Sequence, residues 1–204
     1  MRRLALISDI HGNFEGLTAV LADIEAQGCD RILCLGDIVD GGSGDVECVR
    51  FIRDSGIACV RGNHDDTNDL ALPWNLQEYL WSLPYILVEG DLTFAHISPR
   101  RKQNQITDQY EAWNVFDECD ARLMFVGHAH TAQLYGERTQ HSAEAEPYAI
   151  VGNRPIPLDP DDRYIICAGA IGYSRDGVHK PQYCIYDRAK ETIEFRAVDG
   201  PLIK

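Results

Sequence analysis

A chain of 204 residues with 45% hydrophobic and 25% charged residues has the profile of one globular domain, and no apolar run is long enough to span a bilayer. The formal net charge of −13, with four lysines against fifteen arginines, argues against bulk nucleic acid as a partner. Seven cysteines without a single C-x-x-C pair point to reduced, mostly buried thiols, and Asp9 interrupts the short apolar run after Arg2-Arg3, so a secretory leader is not expected and a cytoplasmic location is.

Residues 3–8 form an apolar run suited to a strand covered on both faces, followed by Asp9-Ile10-His11-Gly12-Asn13. Phe14, Leu17, Val20, Leu21 and Ile24 then fall at helical spacing, predicting a helix to about Gly28 with Asn13 as its cap. Residues 31–35 predict a second strand. It stops at Gly36, and Asp37 and Asp40 follow in Gly36-Asp37-Ile38-Val39-Asp40. Gly36 allows a sharp turn, and Asp37 would project from the carboxyl end of the strand, where open α/β sheets place ligands. A second helix is expected around Val46–Ile52. A third strand at Ile57–Val60 empties into Arg61-Gly62-Asn63-His64-Asp65. This β-α-β-α-β opening predicts a parallel sheet with right-handed crossovers.

Residues 74–82 read as a short amphipathic helix ended by Pro84, and Tyr85–Val88 with Leu92–His96 as a hairpin. A helix near 107–118 precedes the strand Leu123–Val126, which runs into Gly127-His128-Ala129-His130, and residues 132–135 predict another strand. Residues 137–162 are polar and carry Pro147, Pro155, Pro157 and Pro160; a hairpin around Gly152-Asn153 and loop are expected there. Tyr164–Ala168, Gln182–Tyr186 and Thr192–Val198 predict three late strands. With no repeat or linker, residues 1–204 read as a single domain.

Five predicted strands therefore end in oxygen and nitrogen ligands: Asp9 and His11; Asp37; Asn63 and His64; His96; His128 and His130. A mixed carboxylate, amide and imidazole set suits first-row divalent metals. The donors are too many for one ion. Two ions about 3.5–4 Å apart, bridged by a carboxylate, can clamp both the attacking and leaving oxygens of a phosphoryl displacement.

The blocks D-I-H-G-N (9–13), G-D-I-V-D (36–40), G-N-H-D (62–65), a strand-end His96 and G-H-A-H (127–130) resemble the calcineurin-like metallophosphoesterase superfamily. Ala168–Gly177 is similar to the late glycine-rich loop of its small prokaryotic phosphodiesterase branch, with Ala168-Gly169-Ala170 where proline-glycine-serine is usual. The resemblance implies a β-sandwich of two mixed sheets flanked by helices, a four-layer α/β/β/α fold. It also implies two divalent ions (Mn, Fe, Zn or Ni, with Mn favoured). Asp9, His11 and His130 would hold the first ion, Asp37 would bridge, and Asn63, His96 and His128 would complete the second site. His64 would donate a proton to the leaving alcohol and Asp40 would orient its ring. A metal-bridged hydroxide would be the nucleophile.

Gly41 follows Asp40 where the protein phosphatases of this superfamily usually carry an arginine, which points away from them. Arg61, Arg100, Arg101 and Arg175 are candidate phosphate contacts, Arg100 and Arg101 lying in the basic stretch Ser98-Pro99-Arg100-Arg101-Lys102. Asp65 and Asp66 are expected to be solvated or capping, and Glu15 to lie on an exposed helix face. The expected activity is hydrolysis of phosphodiesters or small organic phosphates, with a phosphomonoesterase as the alternative. From another class, a non-catalytic metal-bearing module that binds a phosphorylated ligand would use the same ligands.

Overall fold

The computed structural model describes residues 2–101 and 104–203. In chain order the elements are β1 (Arg3–Ile7), α1 (Phe14–Ala26), β2 (Arg31–Cys34), α2 (Asp45–Asp54), β3 (Ala58–Cys59), α3 (Asn63–Asp66), α4 (Trp74–Ser82), β4 (Ile86–Glu89), β5 (Leu92–Ala95) and α5 (Gln109–Glu118). They continue as β6 (Leu123–Val126), β7 (Ala132–Gly136), β8 (Glu146–Pro147), β9 (Pro155–Pro157), β10 (Tyr164–Ala168), β11 (Gln182–Asp187) and β12 (Thr192–Ala197). Two six-stranded sheets result, in the orders β3-β2-β1-β11-β12-β9 and β4-β5-β6-β10-β7-β8.

The expected β-α-β-α-β opening is present. β1 pairs in parallel with β2, and β2 with β3, and the antiparallel β11 on the other side of β1 makes the sheet mixed. Strand alternation sorts the core into layers. Leu4 and Leu6 of β1 face the second sheet, meeting Phe94, Phe125, Ile166 and Tyr186 in a buried layer between the sheets. Phe94 and Phe125 stack there at 5.3 Å between ring centroids. Ala5 and Ile7 face the other way, against Leu17, Val20 and Ile24 of α1 and Val49 and Ile52 of α2. On the far side, Met124, Val126 and Ile165 pack against Ala112, Val115 and Phe116 of α5. Each fully buried Leu, Ile or Phe contributes about 1.5–3 kcal/mol, so both sheet faces must be covered: the order is helices, sheet, sheet, helix.

The Asn13 Oδ1 accepts from the Gly16 N–H at 3.0 Å and caps α1 as expected. Its Nδ2 also donates to the carbonyls of Ile171 (2.9 Å) and Pro201 (2.8 Å), tying the late loop and the tail to the start of the helix. The hairpin expected around Gly152-Asn153 does not form. β8 pairs with β7 in one sheet and β9 with β12 in the other, so the chain between them crosses from sheet to sheet. Pro147, Pro155 and Pro157 explain this: lacking an N–H, they sit on edge strands where one side of the ladder needs no donor. Asn63–Asp66, for which the sequence predicts no element, is a helical turn. All seven cysteines are free thiols. Among the described residues no helix is long and apolar enough to cross a membrane.

Candidate metal centre

β1, β2, β5, β6 and the short β3 all point their carboxyl ends at one place, and the residues that follow them converge there. Asp9, His11, Asp37 and His130 form one group whose ligand atoms lie within 4.8 Å of one another; Asp37, His96 and His128 form a second. Asp37 belongs to both.

The backbone is bent to make this convergence. Among the described residues nine non-glycines have positive φ, and six are site residues: Asp9 (52°), His11 (50°), Asp37 (54°), Asp40 (74°), His128 (63°) and His130 (55°). Such left-handed residues each carry a conformational cost that the surrounding packing must hold in place. Gly36, at φ +92°, makes the turn possible, and a Cβ there would stand 2.6 Å from the Gly62 nitrogen, where the Asp37 and Asn63 loops press together.

Imidazole orientation is set by backbone carbonyls. The His11 Nδ1 lies 2.9 Å from the Asp40 carbonyl and 3.1 Å from that of Val39. The His96 Nδ1 lies 2.7 Å from the Leu35 carbonyl, and the His130 Nδ1 lies 2.9 Å from that of Tyr173. A carbonyl can only accept, so in each ring Nδ1 carries a hydrogen and Nε2 is left facing inward as the atom that ligates a metal once its own proton is lost, the arrangement used by metal-ligating histidines. The His11 and His130 Nε2 atoms stand 3.2 Å apart. The His130 Nε2 is 3.1 Å from Asp9 Oδ1, and the His96 Nε2 is 3.1 Å from Asp37 Oδ2.

Asp37 Oδ2, Asn63 Oδ1 and His96 Nε2 are buried without a hydrogen-bond partner among the described residues. Such orphaned groups are costly in a protein interior, and these three come from three separate loops. A cation satisfies all of them at once. The donor set therefore fits divalent metal on both sides of Asp37.

The field follows the same division. Burial pushes the Asp9 carboxyl up, but the His130 hydrogen bond and the His96 and His130 charges override it and hold it below the carboxylate range. Asp37, opposed likewise by burial, is lowered by His96. Burial depresses His96, yet Asp37 raises it to about 9. Burial and the neighbouring His96 charge bring His128 down to about 4.

His64 sits at the rim. Its Nδ1 is 2.6 Å from Asp40 Oδ2, its ring is 5.0 Å from that of His11, and its backbone N–H donates to Asp37 Oδ1 at 2.9 Å. Here a family model decides the matter: the calcineurin-like phosphoesterase model matches residues 2–132.

The chain belongs to the calcineurin-like phosphoesterase family.

A metallophosphoesterase from Sphaerobacter thermophilus superposes with a TM-score of 0.87 at 33% identity, over 97% of this chain and 89% of that one. An uncharacterized protein of Methanocaldococcus jannaschii is 35% identical across 98% of this chain and 89% of its own length. A symmetrical bis(5'-nucleosyl)-tetraphosphatase of Cronobacter sakazakii is 40% identical over 63 residues, 29% of this chain and 22% of that enzyme.

The expected phosphate contacts fare differently within this family fold. Arg100 turns away to Glu118 (2.7 Å) and Glu111 (3.1 Å) of α5, whose carboxylates outcompete the site for its guanidinium. Arg61 borders a cavity of about 80 Å³ beside Asn63 and His96, but it is bound to Asp66 at 2.8 Å and to the Trp81 and Leu83 carbonyls, and lies over the Tyr85 ring. Arg175 is exposed, 5.9 Å above the Tyr173 ring, with no carboxylate partner among the described residues. Lys102, at the end of the basic stretch, lies outside the described residues.

Two residues were not legible as site residues. Asp65, expected to be solvated or capping, does cap α3, accepting the Gly62 N–H at 2.9 Å, but it is fully buried and also accepts the N–H groups of Asp37 (2.8 Å) and Ile38 (2.8 Å), clasping two candidate ligand loops. Burial, then the Asp37 charge, raises it to about 6. Tyr173 supplies the carbonyl for His130 and lays its ring against His130 (4.3 Å) and His11 (5.1 Å). An acidic residue on the first turn after Gly62 was the only sign of the former; the latter lies in the Ala168–Gly177 loop, whose resemblance to the family's late loop was its only sign.

Proposed function

We propose that the chain is a metal-dependent phosphodiesterase. The observation that carries this reading is the pair of orphaned donor clusters sharing Asp37, with the His64–Asp40 pair at their rim. Asp9, His11, Asp37 and His130 would hold one divalent ion and Asp37, Asn63, His96 and His128 the other, a mixed oxygen and nitrogen set that suits first-row divalent metals, with Mn the choice the family resemblance favours. When bound, the two ions supply Lewis acidity to the phosphoryl oxygens and lower the pKa of water.

The chain's own residues do the rest. A P–O bond forms from water as the P–O bond to the leaving alcohol breaks. His64, as imidazolium, gives its Nε2 proton to the departing oxygen while Asp40 accepts the Nδ1–H and fixes the ring. The proton lost by water returns to solvent, and His64 is recharged from there. No covalent phosphoenzyme is needed.

A diester is preferred over a monoester because two of the candidate phosphate contacts are already engaged. Arg61 and Arg100 are neutralised by carboxylates, while Arg175 has no carboxylate partner among the described residues. A site with fewer guanidiniums to offer suits one negative charge rather than a dianion. The test sets bis(p-nitrophenyl) phosphate beside p-nitrophenyl phosphate on the Mn-loaded protein. Faster turnover of the diester is expected; faster monoester turnover would make it a phosphomonoesterase. Activity on neither, across several metals, would make the chain a metal-bearing binding module.

A further inference from the structure

Beside the His64–Asp40 pair lies a cavity of about 510 Å³, whose walls include Asp40, Asp66, Asn68, Asp69, Gln77 and Trp81. Its size is that of a small-molecule site, about 300–1,000 Å³. It is not the metal centre: among its lining residues only Asp40 belongs to the machinery described above. Asp40 is nevertheless its link to the chemistry, being 2.6 Å from the ring proposed to protonate the leaving oxygen, and Asn68 Nδ2 donates to the His64 carbonyl at 3.1 Å. The cavity therefore adjoins the pair on which the leaving group's protonation is proposed to depend.

Two features restrict what it accepts. The first is an indole held open to solvent. Trp81 is 43% exposed, yet its Nε1–H donates to the Asp66 carbonyl at 3.3 Å and its own carbonyl receives Arg61. Trp74, 66% exposed, meets it edge to face at 5.7 Å. A large aromatic left in water but fixed in orientation is a stacking platform rather than packing. The second is charge. The lining residues include three carboxylates and no cation; Arg61 offsets Asp66 and His64 pairs with Asp40, leaving Asp69 without a cation among the lining residues. A phosphate is repelled here, whereas hydroxyl and amino donors find acceptors on Asp69, Asn68 and Gln77.

Resting on the phosphodiesterase reading, we infer that this cavity is the leaving-group subsite and that it takes an uncharged nucleoside, the base on Trp81 and the sugar hydroxyls toward the carboxylates. The substrates are then nucleotide esters whose departing group is a nucleoside hydroxyl. Esters whose departing group carries its own phosphates are turned over poorly.

Adenylyl-(3'→5')-adenosine releases uncharged adenosine; diadenosine tetraphosphate releases only phosphorylated groups. With the Mn-loaded protein, kcat/KM should be at least tenfold higher for the first. Trp81→Ala should lower that value about tenfold or more, the worth of one stacked base, with metal content unchanged. Asp69→Lys, at an exposed position, should move the ratio toward the tetraphosphate by placing a cation in the cavity. If bis(p-nitrophenyl) phosphate is hydrolysed but the two nucleotides are equivalent, or neither variant moves their ratio, the subsite is overturned and the phosphodiesterase reading stands. If none of the three compounds is hydrolysed under any metal, both fall.

Discussion

The two ends of the sandwich use the same kinds of charged residue in opposite ways. At the carboxyl ends of β1, β2, β5 and β6, aspartates face histidines across 3.1–3.9 Å, Asp37 Oδ2, Asn63 Oδ1 and His96 Nε2 lack hydrogen-bond partners, and six residues sit at positive φ. At the opposite end three strand starts are stapled by arginine. Arg31, at the head of β2, grips Glu89 through two bonds of 2.7 Å. Arg122, before β6, joins Asp91 and Glu191, and Arg163, before β10, joins Glu137 and the α5 carbonyls of Phe116 and Cys119. The ion pairs hold the fold, although Arg3 Nε and Arg122 Nη1 are also buried without hydrogen-bond partners there; what sets the other end apart is that its unpartnered groups converge from separate loops on one place. One end is spent on stability and the other withheld from it.

The largest expected effect comes from uncoupling the two donor clusters. Asp37→Asn keeps a side chain that tolerates left-handed backbone at φ +54° but removes the charge both groups share. Elemental analysis should find it with less than one bound ion, and phosphodiester turnover should fall to background. Chelation should lower the melting temperature of the wild type and leave this variant unmoved, because a ligand stabilises only the state that binds it. A variant that kept two ions would break the division between the ends. Next, His64→Ala should cost roughly 10²–10⁴ in turnover while both ions stay, since its ring is not among the clustered donors. Loss of metal in that variant would make His64 a ligand.

Asp65 tests whether the clasp behind the ligands belongs with the fold or with the site. Its three N–H bonds reach Asp37, Ile38 and Gly62 from full burial. Asp65→Ala strands those donors, at about 3 kcal/mol or more in urea unfolding of the metal-free protein. It should also weaken metal binding roughly 10–100-fold, as removal of groups supporting a ligand does. A stability loss with unchanged metal affinity would place Asp65 with the fold alone.

Legibility in the sequence followed the same split. β1, β2, β6 and β10 were readable because burial on both faces leaves an uninterrupted apolar run, and the convergence of the candidate ligands was readable because each follows a predicted strand directly. α3 was not, since four residues carry no period, and Asp65 stayed hidden there because its partners are backbone N–H groups, which no side-chain pattern announces. The crossing of residues 146–157 was missed because proline suppresses strand signals without saying which edge will receive it. Arg100 was misjudged for a similar reason: its basic neighbours suggested an anion, while Glu111 and Glu118 lie on a helix that only the fold brings near.

The smallest effect belongs to the arginine end. The Arg163 hydrogen bond holds the Glu137 carboxyl below the ordinary glutamate range, against the pull of partial burial. A depressed carboxyl means that the unfolded chain binds the proton more readily, so the pair stabilises the protein above the unfolded pKa of about 4.3. That stability is lost as pH falls through the folded value. Glu137→Gln should therefore cost about 1 kcal/mol at pH 7, the scale of a partly exposed pair, and the difference from wild type should shrink below about pH 4. Arg163→Met should cost more at every pH, because it also deserts the Phe116 and Cys119 carbonyls at the end of α5. In both variants metal content and turnover should match the wild type. Urea titrations at pH 7 and pH 3.5 check the first claim and a diester assay the second; a fall in turnover in Glu137→Gln would show that the arginine end is coupled to the metal end.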